Sequence, residues 1–483
     1  MVPTKIPLLP DFDDSIFTPE IIVEHAERLA AVEQIHPKDI FKTLLSHLDE
    51  INFIDRAEVE DGKITNAHYR IITIREILSA AKLNQWDLCR NQAFVYAFNG
   101  CYWSLLESDN LRAFLGQAAK KMGVPWVKAE DYVFTKQLLE QFLDSAHFPK
   151  PDKTDGVLIP LLNGTFEVSS GKRILRGFDK RDFLTYQLPF NYDPTATAPI
   201  FENYLNEALP DEDSQKVLAE YLGYLFTKGL KLEKALILYG PGANGKSVMF
   251  EVISRLLGES NVCNYSLSSL TDGNGYYRAM LANKLVNYAS EINGNLEASL
   301  FKQLVSGEPV EARLPYGIPM TISDYAKLIF NTNILPHDVE HTHAYFRRFT
   351  ILDFNVTIKA EKQDVELAKK IIHSELPGVF NWVLSGLDRI LENKKFTHCD
   401  AVNNRLELFR KESDTVALFL EDAGYVKGID PTPLKQLYPM YRTYCMEGGY
   451  RPVALRKVSE RLRNLGFETE KVSLGIVVFT SRA

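Results

Sequence analysis

An apolar run, Ala235-Leu236-Ile237-Leu238-Tyr239, breaks into Gly240-Pro241-Gly242-Ala243-Asn244-Gly245-Lys246-Ser247, a complete G-x-x-x-x-G-K-S. A β-prone run that ends on this octapeptide and continues into the helix-prone Val248-Met249-Phe250-Glu251-Val252-Ile253 commits the chain to a strand–loop–helix unit and an α/β sheet. The glycines let the loop bend so that successive backbone N–H groups point at an anion, and the helix N-terminus adds to that field. Gly240, Pro241, Gly242, Ala243, Asn244, Gly245, Lys246, Ser247 and Val248 are therefore the expected nucleotide-binding residues. Lys246 is expected to reach the β and γ phosphates of ATP, and the Ser247 hydroxyl to complete the shell of a Mg2+ ion.

At 483 residues the chain is too long for one core, and its 45% apolar and 24% charged content is that of a globular protein. It has no uninterrupted apolar stretch of membrane-spanning length, and Met1-Val2-Pro3-Thr4-Lys5-Ile6-Pro7 lacks the apolar core of a signal peptide. A cytoplasmic protein is expected, in a bacterial host if the chain comes from a phage or plasmid. Cys89, Cys101, Cys263, Cys399 and Cys445 form no C-x-x-C pair, which speaks against a zinc ribbon or a disulfide framework. A net charge of −8 excludes a surface coated in basic residues, but not a nucleic-acid path lined by positive charge, since phosphate contacts dominate affinity where the strand runs.

Apolar spacings of three and four predict helix from Thr18 to Leu48, and more helices follow between Tyr69 and His147. Within that stretch, Phe94-Val95-Tyr96-Ala97-Phe98-Asn99-Gly100-Cys101-Tyr102-Trp103 reads as a hairpin, its rings serving either as core or as a stacking platform for bases. Leu162-Asn163-Gly164-Thr165-Phe166 suggests a second hairpin after a polar, proline-containing joint at 149–156, and Tyr192 to Pro199 is another joint rich in breakers. The expected division is an N-terminal helical extension (1–65), a helical or α+β domain (66–195), an ATPase core (196–355), a helical connector (356–410) and a C-terminal module (411–483).

A phosphate loop alone does not separate a kinase, a switch and a motor. Lys284-Leu285-Val286-Asn287-Tyr288-Ala289-Ser290-Glu291 is a β-prone run that ends in a carboxylate, which would set Glu291 beside the phosphate-bound Mg2+ at the end of a parallel strand. Ala326-Lys327-Leu328-Ile329-Phe330-Asn331-Thr332-Asn333 is a third strand ending in polar amides, one able to hold the attacking water. Arg347 and Arg348 then precede a further strand, where an arginine presented to a neighbouring subunit would make hydrolysis depend on assembly.

These motifs in this order resemble the superfamily 3 helicases of the AAA+ class, and within them the helicase half of the poxvirus, phage and plasmid primase-helicase family. The resemblance rests on Tyr192-Asp193-Pro194, on Ala235 to Ser247, on Ala289-Ser290-Glu291, on Lys302 to Gly317, and on Thr332-Asn333 with Leu335-Pro336. It implies an α/β AAA+ core, a parallel sheet flanked by helices, with a mainly helical N-terminal domain and a C-terminal winged-helix-like domain. It also implies ATP and Mg2+ as cofactors, and catalytic roles for Lys246, Glu291, the sensor Asn333 and an arginine acting in trans, Arg348 first and Arg347 as the alternative. Lys302 would contact nucleotide across the subunit interface, and Arg313 and Tyr316 would sit on a hairpin that grips DNA in a central channel. Many members carry two adjacent acids where this chain has Ser290-Glu291, so Glu291 would serve both metal and water.

From Ser413 onward the pattern reads helix, turn, helix and two strands, the winged-helix layout often present in the family. Leu455 to Leu465 is a basic helix whose Arg456 and Lys457 face either a DNA groove or solvent. The expected activity is that of a replicative DNA helicase, a homo-oligomeric ring, hexameric by resemblance, that translocates 3′ to 5′ on single-stranded and forked DNA. The alternative is an ATP-dependent DNA-binding, origin-assembly or defence ATPase that does not unwind. Priming is not expected of this chain, because the acidic Asp11-Phe12-Asp13-Asp14 lies too near the terminus for a catalytic fold, which leaves a separate primase as a partner. No membrane partner is expected.

Overall fold

The computed structural model describes residues 39–59, 62–148, 156–169, 172–290, 292, 297–315, 317–336, 339–359, 361, 363–473 and 475–482. Glu291, Tyr316, the acidic stretch 11–14 and most of the expected N-terminal extension lie outside them. The described residues form two compact units, one up to residue 196 together with 256–258, the other from 197 to 255 and from 259 onward.

In the first unit, helices α1 (Asn66–Leu83), α2 (Ser108–Lys121) and α3 (Tyr132–Ser145) share a core in which Ile77, Leu111, Leu115, Leu138 and Phe142 are fully enclosed. Thr65 starts α1 with a reciprocal cap to His68, satisfying donors that a bare helix end leaves open. Strands β1 (Asp87–Asn91), β2 (Phe94–Phe98) and β3 (Trp103–Leu106) form an antiparallel sheet with Phe98 opposite Trp103. Asn99 Oδ1 accepts the N–H groups of Cys101 and Tyr102 at 3.1 and 3.0 Å, so the Asn-Gly signal makes a four-residue loop. Trp103 is buried with Tyr96, Phe98 and Phe183, and its indole N–H donates to the Lys180 carbonyl at 2.8 Å; these rings are core. A second antiparallel sheet contains β4 (Val157–Leu161), β5 (Gly164–Ser169) and β6 (Lys172–Arg176).

The second unit opens with α4 (Pro199–Ala208), whose proline occupies the first turn, and α5 (Glu212–Tyr224), capped by Asp211. Its sheet holds β7 (Ala235–Tyr239), β8 (Val262–Cys263), β9 (Val286–Ala289), β12 (Lys327–Thr332) and β13 (Phe349–Asp353), all parallel, in the order β13-β7-β12-β9-β8. Between β9 and β12 come α7 (Ala298–Ser306) and the antiparallel hairpin of β10 (Val310–Arg313) with β11 (Pro319–Ile322). Helix α6 (Lys246–Leu257) covers one face through Phe250 against Tyr288, and α10 (Asp400–Glu412) covers the other through Phe409 against Phe349. Helix α9 (Leu376–Asn393) lies so close on α5 that a side chain at Gly386 would run into the backbone of Ala219.

The C-terminal part runs α11 (Thr415–Asp422), β14 (Tyr425–Pro433), α12 (Leu434–Glu447), α13 (Leu455–Asn464), β15 (Thr469–Val472) and β16 (Gly475–Arg482). Its antiparallel sheet has the order β14-β16-β15 over a core of Val416, Phe419, Leu437, Tyr441, Val458, Leu462 and Val478. Strand β14 was not expected, because Gly428, Pro431 and Pro433 read as breakers. It is an edge strand with a register shift between Lys427 and Asp430, the setting that tolerates proline.

Candidate nucleotide site and the faces around it

Parallel pairing sets Tyr239 beside Thr332 and beside Asp353, so β7, β12 and β13 end together and their exits share one edge of the sheet. In open α/β sheets, ligands bind outside these carboxyl ends. The loop that leaves β7 turns through positive φ at Gly242, Ala243 and Gly245. At Gly240 a side chain would collide with the Asn244 amide and the Phe354 carbonyl, so glycine there is a steric requirement. Asn244 ties the loop to the strand exit by donating to the Phe354 carbonyl at 2.7 Å, and Tyr204 of α4 donates to the Gly245 carbonyl at 2.9 Å.

Lys246 is 7% exposed, and its ammonium donates to the Gly240 carbonyl at 2.7 Å and Asn244 Oδ1 at 3.0 Å. Burial lowers its pKa, since little in this cradle offsets the lost hydration. An anionic phosphate would supply the missing counter-charge, and the backbone cradle fits one. The Ser247 hydroxyl is exposed at the start of α6, the position from which a P-loop serine meets Mg2+. The second expected metal ligand, Glu291, is outside the described residues.

The strand expected to deliver that acid, β9, is separated from β7 by β12, so Asn333 leaves the sheet between the phosphate loop and the β9 exit. Asn333 is exposed, whereas Asn331 is buried and accepts a hydrogen bond from the Tyr288 hydroxyl at 3.0 Å. Of the two amides, Asn333 is the one open to a ligand.

Arg347 and Arg348 sit at the other edge. Phe349 pairs with Ala235, which puts both arginines beside the start of β7, five residues from the loop or about 16 Å at roughly 3.3 Å per residue. Arg348 is 8% exposed and donates to the Lys302 carbonyl at 3.2 Å, to Ser306 Oγ at 2.9 Å and to the Ala344 carbonyl. Burial first, and then the charge of Arg347, lower its pKa. The Arg347 side chain is 47% exposed and pairs with Glu233 at 2.6 Å, while Lys234 donates to its carbonyl at 2.6 Å. Lys302 is engaged by Glu340 at 2.9 Å.

Arg313 is exposed on the β10–β11 hairpin, its Nε donating to the Gly317 carbonyl at 2.9 Å, and Ile318 beside it is 86% exposed. Arg456 and Lys457 are exposed on α13, whereas Val458 and Leu462 hold that helix to its core. The sequence reading missed Arg405 of α10, which is buried with its guanidinium over the Tyr239 ring at 4.2 Å. Its only signal was an arginine inside a helix otherwise rich in charge.

Among the described residues no group of three His, Cys, Asp or Glu could hold a metal ion, and no helix is long and apolar enough to cross a membrane. The five cysteines are buried and in no disulfide among the described residues, and burial pushes the thiols of Cys101 and Cys263 up to about 12.

Comparison with known proteins matches residues 76–210 to the D5 N terminal like family and residues 411–479 to the poxvirus D5 protein-like family. Residues 238–348 match a family of unknown function, DUF5906. "Putative helicase 121R" of Invertebrate iridescent virus 3 is 22% identical over 334 residues, covering 60% of this chain. The chain spans 35% of the length of that relative. Two structures of the NrS-1 C-terminal region are 14% and 12% identical, each covering 86% of this chain and 99% of the other, with TM-scores of 0.46 and 0.47. D5-like segments on both sides of a phosphate-loop sheet, together with the similarity to a viral putative helicase, support a place for the chain among D5-like primase-helicases.

Proposed function

We propose that the chain is an ATP-dependent replicative DNA helicase that works as a ring, with ATP hydrolysed between subunits. The reading is supported above all by the two ends of one parallel sheet: the phosphate loop leaves its carboxyl edge, and Arg347 and Lys234 lie at its amino edge. Residues on opposite edges cannot meet on one nucleotide within a chain, whereas two chains stacked edge to edge would bring them together. Arg347 is preferred over Arg348 as the trans arginine, since three acceptors of its own chain already hold the Arg348 guanidinium. Arg348 then fixes the turn that presents Arg347.

In the proposed cycle, the N–H groups of Gly242 to Ser247 and the Lys246 ammonium bind ATP, and Ser247 with Glu291 would hold Mg2+. The metal supplies charge neutralisation of the phosphates when bound. Asn333 orients the attacking water, and Arg347 of a neighbour stabilises the charge that develops on the transferred phosphoryl group. Arg313 and Tyr316 of the hairpin, together with Lys302, are proposed to couple the interface to one DNA strand. The five-part division of the chain expected from its sequence, with a winged-helix-like module at 411–483, is part of the same proposal.

The test is ATP-driven unwinding of a forked duplex with a 3′ or a 5′ tail, by the wild type and Lys246→Ala. Unwinding by the wild type alone, with preference for a 3′ tail, is the expected result. Equal rates for both proteins would overturn the assignment. The exposed basic face of α13 favours a second reading, a DNA-binding ATPase that assembles without unwinding. DNA-stimulated hydrolysis with no strand separation would select it.

A further inference from the structure

Arg405 sits where the phosphate-loop strand, the neighbouring strand and the C-terminal module meet. It is 8% exposed, and its guanidinium stacks over Tyr239, the residue directly before Gly240. Its Nε faces Asp353 Oδ1 at the end of β13 across 3.6 Å, and its terminal nitrogen donates to Glu412 Oε2 at 3.1 Å. At 3.6 Å the Nε–Oδ1 pair is an ion pair but not a hydrogen bond, and neither atom has a hydrogen-bond partner among the described residues. A buried donor and a buried acceptor left open opposite each other are costly, and such groups need a reason. An advance of less than 1 Å by the strand exit would close them into a hydrogen bond.

A cavity of about 110 Å³ borders Arg405 and is lined also by Tyr239, Asn333, Phe409, Glu412 and Ser413. On the far side, the Ser413 carbonyl accepts from His341 Nε2 at 2.9 Å, and Asp414 caps α11 through the N–H groups of Val416 and Ala417. Asp414 also takes Arg461 of α13 at 3.3 Å, the helix that exposes Arg456 and Lys457. The stack of Arg405 on Tyr239, its contact with Glu412, and the two chain steps from Glu412 to the Asp414 cap thus connect the exit of β7 to the basic helix.

We propose that Arg405 is a positioning residue that makes nucleotide on the phosphate loop and DNA on the C-terminal module sense each other. Nucleoside triphosphate that shifts the Tyr239–Gly240 exit changes how Arg405 engages Asp353 and Glu412, and Glu412 leads directly into the cap of α11. The inference rests on the proposed function, because it presupposes that the chain binds both ligands. Linkage then requires each ligand to change the affinity for the other by the same factor.

The experiment uses the full chain, a fluorescent single-stranded oligonucleotide and a non-hydrolysable ATP analogue, and reads the ratio of DNA dissociation constants with and without the analogue. For the wild type a ratio of at least about fivefold is expected, the lower end of ordinary allosteric coupling. Arg405→Met should bring the ratio below about twofold. Arg405→Lys, which keeps the charge but loses the planar fork, should fall between. Glu412→Gln, at a half-exposed helix end where folding is not at stake, should also reduce the ratio. A merely structural role would weaken both affinities and leave the ratio unchanged. A ratio that stays at the wild-type value in Arg405→Met and Glu412→Gln, or a wild type that binds both ligands without coupling, overturns the proposal. A wild type that binds neither ligand refutes the proposed function instead.

Discussion

If the site is shared, two dead subunits should make a live one. Lys246→Ala removes the phosphate-loop cation but leaves Arg347, and Arg347→Ala removes the trans arginine but leaves the loop, so each variant supplies what the other lacks. The Arg347 side chain is 47% exposed and, among the described residues, pairs with Glu233, so its truncation should cost stability no more than about 1 kcal/mol. Loss of an arginine finger lowers turnover by roughly 10³-fold or more, so either variant alone should hydrolyse ATP at no more than about one thousandth of the wild-type rate. In a ring formed at random from equal amounts, an intact site needs a Lys246-bearing subunit, at a frequency of about one half, next to an Arg347-bearing one, at about one half again. The mixture should therefore recover about one quarter of wild-type turnover if sites act independently. The assay is steady-state phosphate release after co-refolding or co-expression, with single variants as controls. A mixture no more active than its components, or Arg347→Ala at the wild-type rate, would refute the shared site. The about 16 Å along β13 would then have to be bridged within one chain.

Lys327, at the start of β12, donates to the Thr227 carbonyl at 2.9 Å and lies over the Tyr224 ring, and burial pushes its pKa down to about 8 from an unfolded value of 10.5. A depressed folded pKa means that the unfolded chain binds more protons between these values. Wild-type stability relative to Lys327→Met should therefore rise from about pH 8 to 10.5 and be lost as pH falls through about 8, which thermal melts at pH 7 and 10 would detect. For α13, Arg456→Ala with Lys457→Ala should reduce the slope of log affinity against log salt by about two on duplex DNA, with little change in sequence preference. An unchanged slope would place DNA elsewhere.

Much of the site was legible because its signals are local. The phosphate loop needs glycine where a Cβ would strike the chain and positive φ where other residues resist, and both demands are written in consecutive letters. The hairpin at Asn99 was visible for the same reason, through its Asn-Gly turn signal, whereas that at 310–322 was expected only from the family resemblance. Strand β14 was not, because its prolines are acceptable only at a sheet edge, and edge status is not a local property. The two arginines show the same limit: adjacent in sequence and equal in chemistry, they differ in exposure because Ser306, Lys302 and Ala344 enclose one of them.

By itself, then, the sequence determined that a strand feeds a phosphate cradle at Gly240 to Ser247 and that further strands end in polar groups, because backbone geometry and short-range sterics suffice for both. Tertiary structure alone decided that β12 lies between β7 and β9, that Arg347 stands on the edge opposite the cradle, and that Arg405 from a helix some 160 residues downstream stacks on Tyr239. Strand order and burial arise from contacts between segments distant in the chain, and no local propensity encodes them.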